Sequence, residues 1–174
     1  MSEIFEPSTP SPGRNPSNLT ALKVPPHSVE AEQAVLGGLM IDNTEWDTVS
    51  DAVLSADFYR AEHQLIFQTM TQQSEARSPI DVVTLVEALD SLNEVENAGG
   101  LDYLSELAGN ARGTANIHAY TDIIRERAIL RRLISVANNI ADTGYNTGGK
   151  KAAEILNGAE QQVFNIRDER PKDQ

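Results

Sequence analysis

The sequence predicts an all-α chain with a compact head of about five helices followed by an antiparallel helical hairpin. Three observations carry this. No stretch alternates convincingly between apolar and polar residues with period two, as a half-buried strand would. Residues 114–144 form one uninterrupted helical pattern with no proline and no interior glycine, the longest element the chain can hold. Beyond a turn signal at residues 144–149, Ala152, Ile155, Leu156, Ala159, Val163 and Ile166 recur at three- and four-residue spacing. Two helices joined by about five residues run back antiparallel as a hairpin.

The long stretch organises the reading. At about 100° per residue, Ile129, Leu130, Leu133, Ile134, Val136, Ala137, Ile140 and Ala141 fall on one arc. Arg131, Arg132, Ser135, Asn138, Asn139 and Asp142 fill the other. The apolar arc spans roughly 160°, against about 100° for a helix facing a single core, so cover is expected from two directions. One neighbour is the second hairpin helix, too weakly apolar to stand alone. Ile129, Val136 and Ile140 are expected to contribute a contact with a second copy of the chain.

In chain order, residues 1–22 hold Pro7, Pro10, Pro12 and Pro16 among serine, threonine and asparagine, a mixture with too little apolar surface to order itself. The head is expected over residues 23–113. Ser28 can cap a first helix, with Glu30 and Glu32 favoured by its positively polarised first turn. Gly37 and Gly38 inside that helix cost about 1 kcal/mol each relative to alanine, and close approach of another helix is the expected reason. Thr44 with Asp47 resembles a capping box for a helix carrying Trp46, Val49 and Val53. A third pattern holds Leu65, Ile66, Phe67 and Met70. Asp81 can cap a fourth, with Val82, Leu85, Val86 and Leu89 on one side. Gly99 and Gly100 open a short fifth helix over residues 101–108, and a loop follows to Gly113. The hairpin is expected over residues 114–167, with residues 168–174 the start of a linker.

Composition excludes several function classes. The 174 residues contain no cysteine, hence no thiol nucleophile, disulfide or thiolate metal site, which fits a reducing compartment. No run of about 18 apolar residues and no basic, apolar leader is present, so a cytoplasmic chain is expected. A net charge of −12 lacks the basic footprint of nucleic-acid binding. Only Arg125, Arg127, Arg131 and Arg132 cluster, diluted by Asp122 and Glu126, as on a solvated helix face.

No catalytic, metal or cofactor-binding residue is expected. The run from Gly144 through Gly149 to Lys150 matches the first seven positions of a phosphate-binding P-loop, but Lys151 stands where serine or threonine would hold magnesium, and a helix precedes it where a strand is needed. His27, His63 and His118 have no partner at metal-ligand spacing. No glycine-flanked serine elbow appears. Glu30 and Glu32 are explained by the helix dipole, and Trp46, Phe67, Tyr103 and Tyr120 are spaced as core residues. The residues by themselves describe a non-catalytic helical module with apolar hairpin surface to spare.

Several blocks in order add a resemblance: VPPHSVEAEQAVLGGLMIDN from Val24 to Asn43, Asp57-Phe58-Tyr59, Ser78-Pro79-Ile80-Asp81, Gly99-Gly100 with Tyr103-Leu104, Ala115-Asn116, Ala119-Tyr120, IRERA from Ile124 and ISVAN from Ile134. Over residues 23–167 the chain resembles the N-terminal domain of the bacterial replicative DNA helicases of the DnaB family. The resemblance implies a collar, in which hairpins join chains into dimers, three dimers form a ring, and the hairpin region docks primase. Exposed hairpin residues including Arg131 and Arg132 are the expected primase contacts. A helicase loader is left open as a further partner. ATP and magnesium belong, on this resemblance, to a separate C-terminal motor domain, so this chain alone is not expected to hydrolyse ATP or unwind DNA. The alternative is a stand-alone adaptor or inhibitor that mimics the collar; a reading frame continuing past Gln174 into a P-loop domain decides against it.

Overall fold

The structure, a computed structural model, describes residues 23–168. The expectations for the tail (1–22) and for most of the linker (169–174) lie outside the described residues. Among the described residues every regular element is helical. In order they are α1 (Val29–Ile41), a 3₁₀ turn (Asn43–Glu45), α2 (Trp46–Ala52), a 3₁₀ turn (Ser55–Asp57), α3 (Ala61–Glu75), α4 (Val82–Asp90), a 3₁₀ turn (Glu96–Ala98), α5 (Gly100–Asn110), α6 (Ile117–Tyr145) and α7 (Ala152–Asp168).

The head is built around α1, not around the long helix. Val35, Leu36 and Leu39 have no exposed surface, and Gly37, Gly38 and Met40 are buried with them. A helix apolar on all sides belongs at the centre, and α3, α5 and α6 pack on it. Gly37 has the reason expected of the pair, whereas a Cβ at Gly38 would meet only ordinary contacts, 3.4 Å from the Ile117 side chain. A Cβ at Gly37 would lie 2.2 Å from the Leu107 carbonyl oxygen, so only glycine lets α5 come this close. Ser28 starts α1 by accepting a hydrogen bond from the Ala31 amide at 3.2 Å.

The cap expected of Thr44 is corrected. Thr44 sits inside the 3₁₀ turn, and Asp42 does the capping, accepting from the Thr44 amide at 3.0 Å and its hydroxyl at 2.5 Å. These bonds hold the Asp42 carboxyl below its ordinary value. A depressed carboxyl contributes stability above the unfolded-state value and loses it as pH falls through the lowered one. α2 begins at Trp46 with no side-chain cap. Asp81 does cap α4, accepting from the Thr84 amide at 2.9 Å while the Thr84 hydroxyl accepts from the Asp81 amide at 3.1 Å.

Asn43 staples two loops. Its Nδ2 donates to the Leu39 carbonyl at 2.9 Å and the Ile80 carbonyl at 2.7 Å, and its Oδ1 accepts from the Ile80 amide at 2.8 Å. Asn43→Ala leaves the partly buried Ile80 amide and carbonyl unpaired and is expected to cost about 2–3 kcal/mol, read as a lower denaturant midpoint at unchanged slope.

The head does not stop where the hairpin was expected to begin. α6 starts at Ile117, three residues after the expected position, and Ile117, Thr121, Ile124 and Ala128 are buried against the head. The packing boundary therefore falls inside α6, just beyond Ala128, rather than at residue 114. Gly144 remains helical, and the turn is made by Gly148 and Gly149, at φ 61° and 83°.

Candidate functional site: the hairpin and its junction with the head

Beyond Ala128, α6 leaves the head and α7 returns along it, with Ile166 buried at the base. The seam between them holds Ile140, Ile155 and Ala159, and an Asn139 Nδ2 to Gln162 Oε1 bond of 2.7 Å ties the two flanks. A groove of about 490 Å³ near the turn is lined by Ile140, Gly144, Ala152, Ile155, Leu156 and Ala159.

Which apolar residues this leaves open differs from the expectation. Val136 and Ile140 are half-buried, one helical turn apart on the side facing α7, so the hairpin itself covers much of them. Ile129 is exposed, and with it Leu130, Leu133 (45%) and Ile134 (47%). Helical periodicity turns Leu130, Leu133, Ile134 and Ala137 away from the Ile124, Ala128 and Arg131 side that meets the head. Because α7 runs antiparallel, it brings Leu156 (61% exposed) and Val163 (47%) to that same side. The result is a two-helix apolar face pointing away from the head, the kind of surface that marks a contact site.

Arg131 and Arg132, expected to be exposed, are half-buried. Arg131 donates through Nη1 to the Pro26 carbonyl at 2.7 Å and through Nη2 to the Asp57 carbonyl at 2.6 Å. Its guanidinium lies 5.4 Å from the centre of the Tyr59 ring, on which His27 also stacks at 4.1 Å. Burial lowers the Arg131 pKa, and the nearby Glu32 and Asp57 carboxylates oppose that. Arg132 pairs with the Asp57 carboxylate, whose second oxygen accepts from the Leu54 amide at 2.8 Å. Both arginines thus hold α6 to the head.

Behind this junction lies a buried network the sequence reading missed. Glu32 (1% exposed) does more than answer the helix dipole: its carboxylate accepts from the Tyr59 amide at 2.9 Å, the Arg60 amide at 3.4 Å and His63 Nδ1 at 2.8 Å. Because a carboxylate only accepts, Nδ1 carries the hydrogen. Gln33 donates to the Tyr103 hydroxyl oxygen at 3.3 Å, so the hydroxyl is free to donate to His63 Nε2 at 2.6 Å. Tyr103 packs half-buried against the core as expected, whereas Tyr120 is exposed, and both border a cleft of about 720 Å³ beside Glu30 and Asn116. Trp46 and Phe67 do lie in the core, ring centres 5.1 Å apart.

The region that matched the P-loop spacing spans the end of α6 and the turn after it. Among the described residues no group of three or more His, Asp or Glu is placed to hold a metal, and no helix is long and apolar enough to cross a membrane.

A family model described as the DnaB-like helicase N terminal domain matches residues 24–126, more than half of the chain. The chain belongs to that family. Among curated relatives, the replicative DNA helicase DnaB of Haemophilus influenzae is 48% identical over 149 residues, which is 86% of this chain and 32% of the relative. DnaB of Buchnera aphidicola subsp. Acyrthosiphon pisum is 51% identical over 156 residues, 90% of this chain and 34% of the relative. The chain thus spans about a third of the length of the DnaB relatives it matches. Among solved structures, the N-terminal domain of DnaB helicase from Mycobacterium tuberculosis superposes with a TM-score of 0.76 at 29% identity, over 82% of this chain and 99% of that one. A DnaB-like replicative helicase, solved to show its interactions with primase, shares the fold with a TM-score of 0.66 at 23% identity, over 78% of this chain and 31% of that one. The all-helical head and hairpin are therefore the DnaB N-terminal fold.

Proposed function

We propose that this chain is the N-terminal collar of a replicative DNA helicase, joining copies of itself through the hairpin and docking primase during chromosomal DNA replication. The observation that carries the reading is the apolar face of Leu130, Leu133, Ile134, Leu156 and Val163, built by both hairpin helices and turned away from the head. An isologous contact between two such faces buries both. Dimers through the hairpins and three dimers to a ring are the arrangement proposed. ATP hydrolysis and magnesium binding are assigned to a motor domain of the parent helicase, not to this chain, and the site of action is the cytoplasm. Net negative charge argues against direct DNA contact by the collar.

Membership of the DnaB family supports primase as the second partner, and the hairpin is the region proposed to receive it. In that contact Arg131 and Arg132 act by holding the hairpin, since their hydrogen bonds go to the head. Calorimetry with a primase C-terminal domain is expected to show binding to the native chain and a weakening of roughly tenfold for the Arg131→Ala/Arg132→Ala variant, about 1.4 kcal/mol. Equal affinity for both would remove the two arginines from primase docking, and no heat at all would remove primase.

A further inference from the structure

The geometry points to Arg131, Arg132 and Asp57 as positioning residues that set the angle at which the hairpin leaves the head. The importance of that angle for assembly rests on the collar reading; the angle itself does not. Ala128 is the last residue of α6 buried against the head, and Arg131 and Arg132, one turn further out, reach back to it. From there to Tyr145 the helix continues for about 20 Å at 1.5 Å per residue, with no proline and no glycine before Gly144. A rotation of 10° at the base would carry the tip by about 3–4 Å over that length.

The hydrophobic drive that buries Ile124 and Ala128 is non-directional, whereas hydrogen bonds weaken steeply with angle. The polar contacts also lie furthest from the core, where they have most leverage on the rod. They converge from separate segments: the Pro26 carbonyl, the Asp57 carbonyl and carboxylate, and the Tyr59 ring clasped by His27 and Arg131. Arg131 bridges two carbonyls with the two ends of one planar fork, a geometry lysine cannot reproduce.

The absence of cysteine makes the angle directly measurable. Nitroxide labels on Glu87→Cys in α4 and Asn157→Cys in α7, both exposed, report the head-to-tip distance by pulsed electron resonance. The labelled chain is diluted with unlabelled chain so that only pairs within one molecule are read. A single narrow distribution is expected for the native junction, with at least a twofold broadening for Arg131→Met/Arg132→Met. Arg132→Lys is expected to stay narrow because one charge suffices opposite Asp57, and Arg131→Lys is expected to broaden. If the double variant does not fold, Asp57→Asn, which preserves shape while removing the charge, is expected to broaden the distribution in its place. A folded double variant with a lower melting temperature and an unchanged distribution would overturn the proposal, leaving the cluster a stabilising contact only. A native chain that stays monomeric at all concentrations would count against the collar reading, and the width would still decide the angle.

Discussion

Leu133→Asp is expected to leave the chain folded and monomeric. Leu133 is 45% exposed and lies at the middle of the apolar hairpin face, so in the isolated chain an aspartate there stays hydrated and the melting curve should hardly move. In a contact between two copies the same carboxylate is stripped of water without a partner, at a cost of several kcal/mol. A two-fold interface meets the substitution twice. Self-association should weaken by at least a hundredfold, about 2.7 kcal/mol, visible by light scattering across concentration. A folded variant with native mass would remove this face from the contact. Val136→Asp provides the contrast. Val136 is half-buried in the hairpin seam, so a charge there should reduce assembly and lower the melting temperature together.

Glu32→Ala is expected to destabilise the head by about 3–5 kcal/mol, since several buried donors lose their acceptor at about 1–3 kcal/mol each. The loss leaves the Tyr59 and Arg60 amides and His63 Nδ1 without their acceptor and deprives Arg131 of a nearby carboxylate. For a chain of this size that corresponds to a fall in melting temperature of about 10–15 °C. Glu32→Gln keeps one carbonyl acceptor and should fall about half as far. A melt within 2 °C of the native chain for Glu32→Ala would show that solvent replaces the lost bonds and that the network is not structural. Because Glu32 borders the segment that holds Arg131, the Glu32→Ala and Arg131→Met effects should also couple when combined.

What the residue pattern made legible was local. Ser28 and Asp81 announce helix starts because a short polar side chain reaches only the amides two or three residues on. The glycine pair announced a close helix approach because glycine inside an apolar helix is costly, and Gly37 is the member that the approach requires. Thr44 misled because Asp42, two residues earlier, offers an equally local acceptor, and pattern alone does not rank the two.

The site was less legible. The apolar arc of α6 is wider than one neighbour covers: α7 takes the flank carrying Val136 and Ile140 and leaves Leu130, Leu133 and Ile134 open. Arg131 and Arg132 looked solvated because the pattern of one helix shows only that a side chain is off the apolar arc. It does not show that Pro26, Asp57 and Tyr59, some seventy to one hundred positions away, wait there.

By itself the sequence determined the helices, the caps of α1 and α4, the hairpin turn and the family, since each depends on contacts between neighbours in the chain or on residue blocks that can be read in order. Only the tertiary structure decided that α1 is the centre, that Glu32, His63 and Tyr103 meet, and that two arginines face inward. Those outcomes depend on partners distant in sequence. Their pairing follows from how helices of given length and width close on one another, a quantity that no single helical period contains.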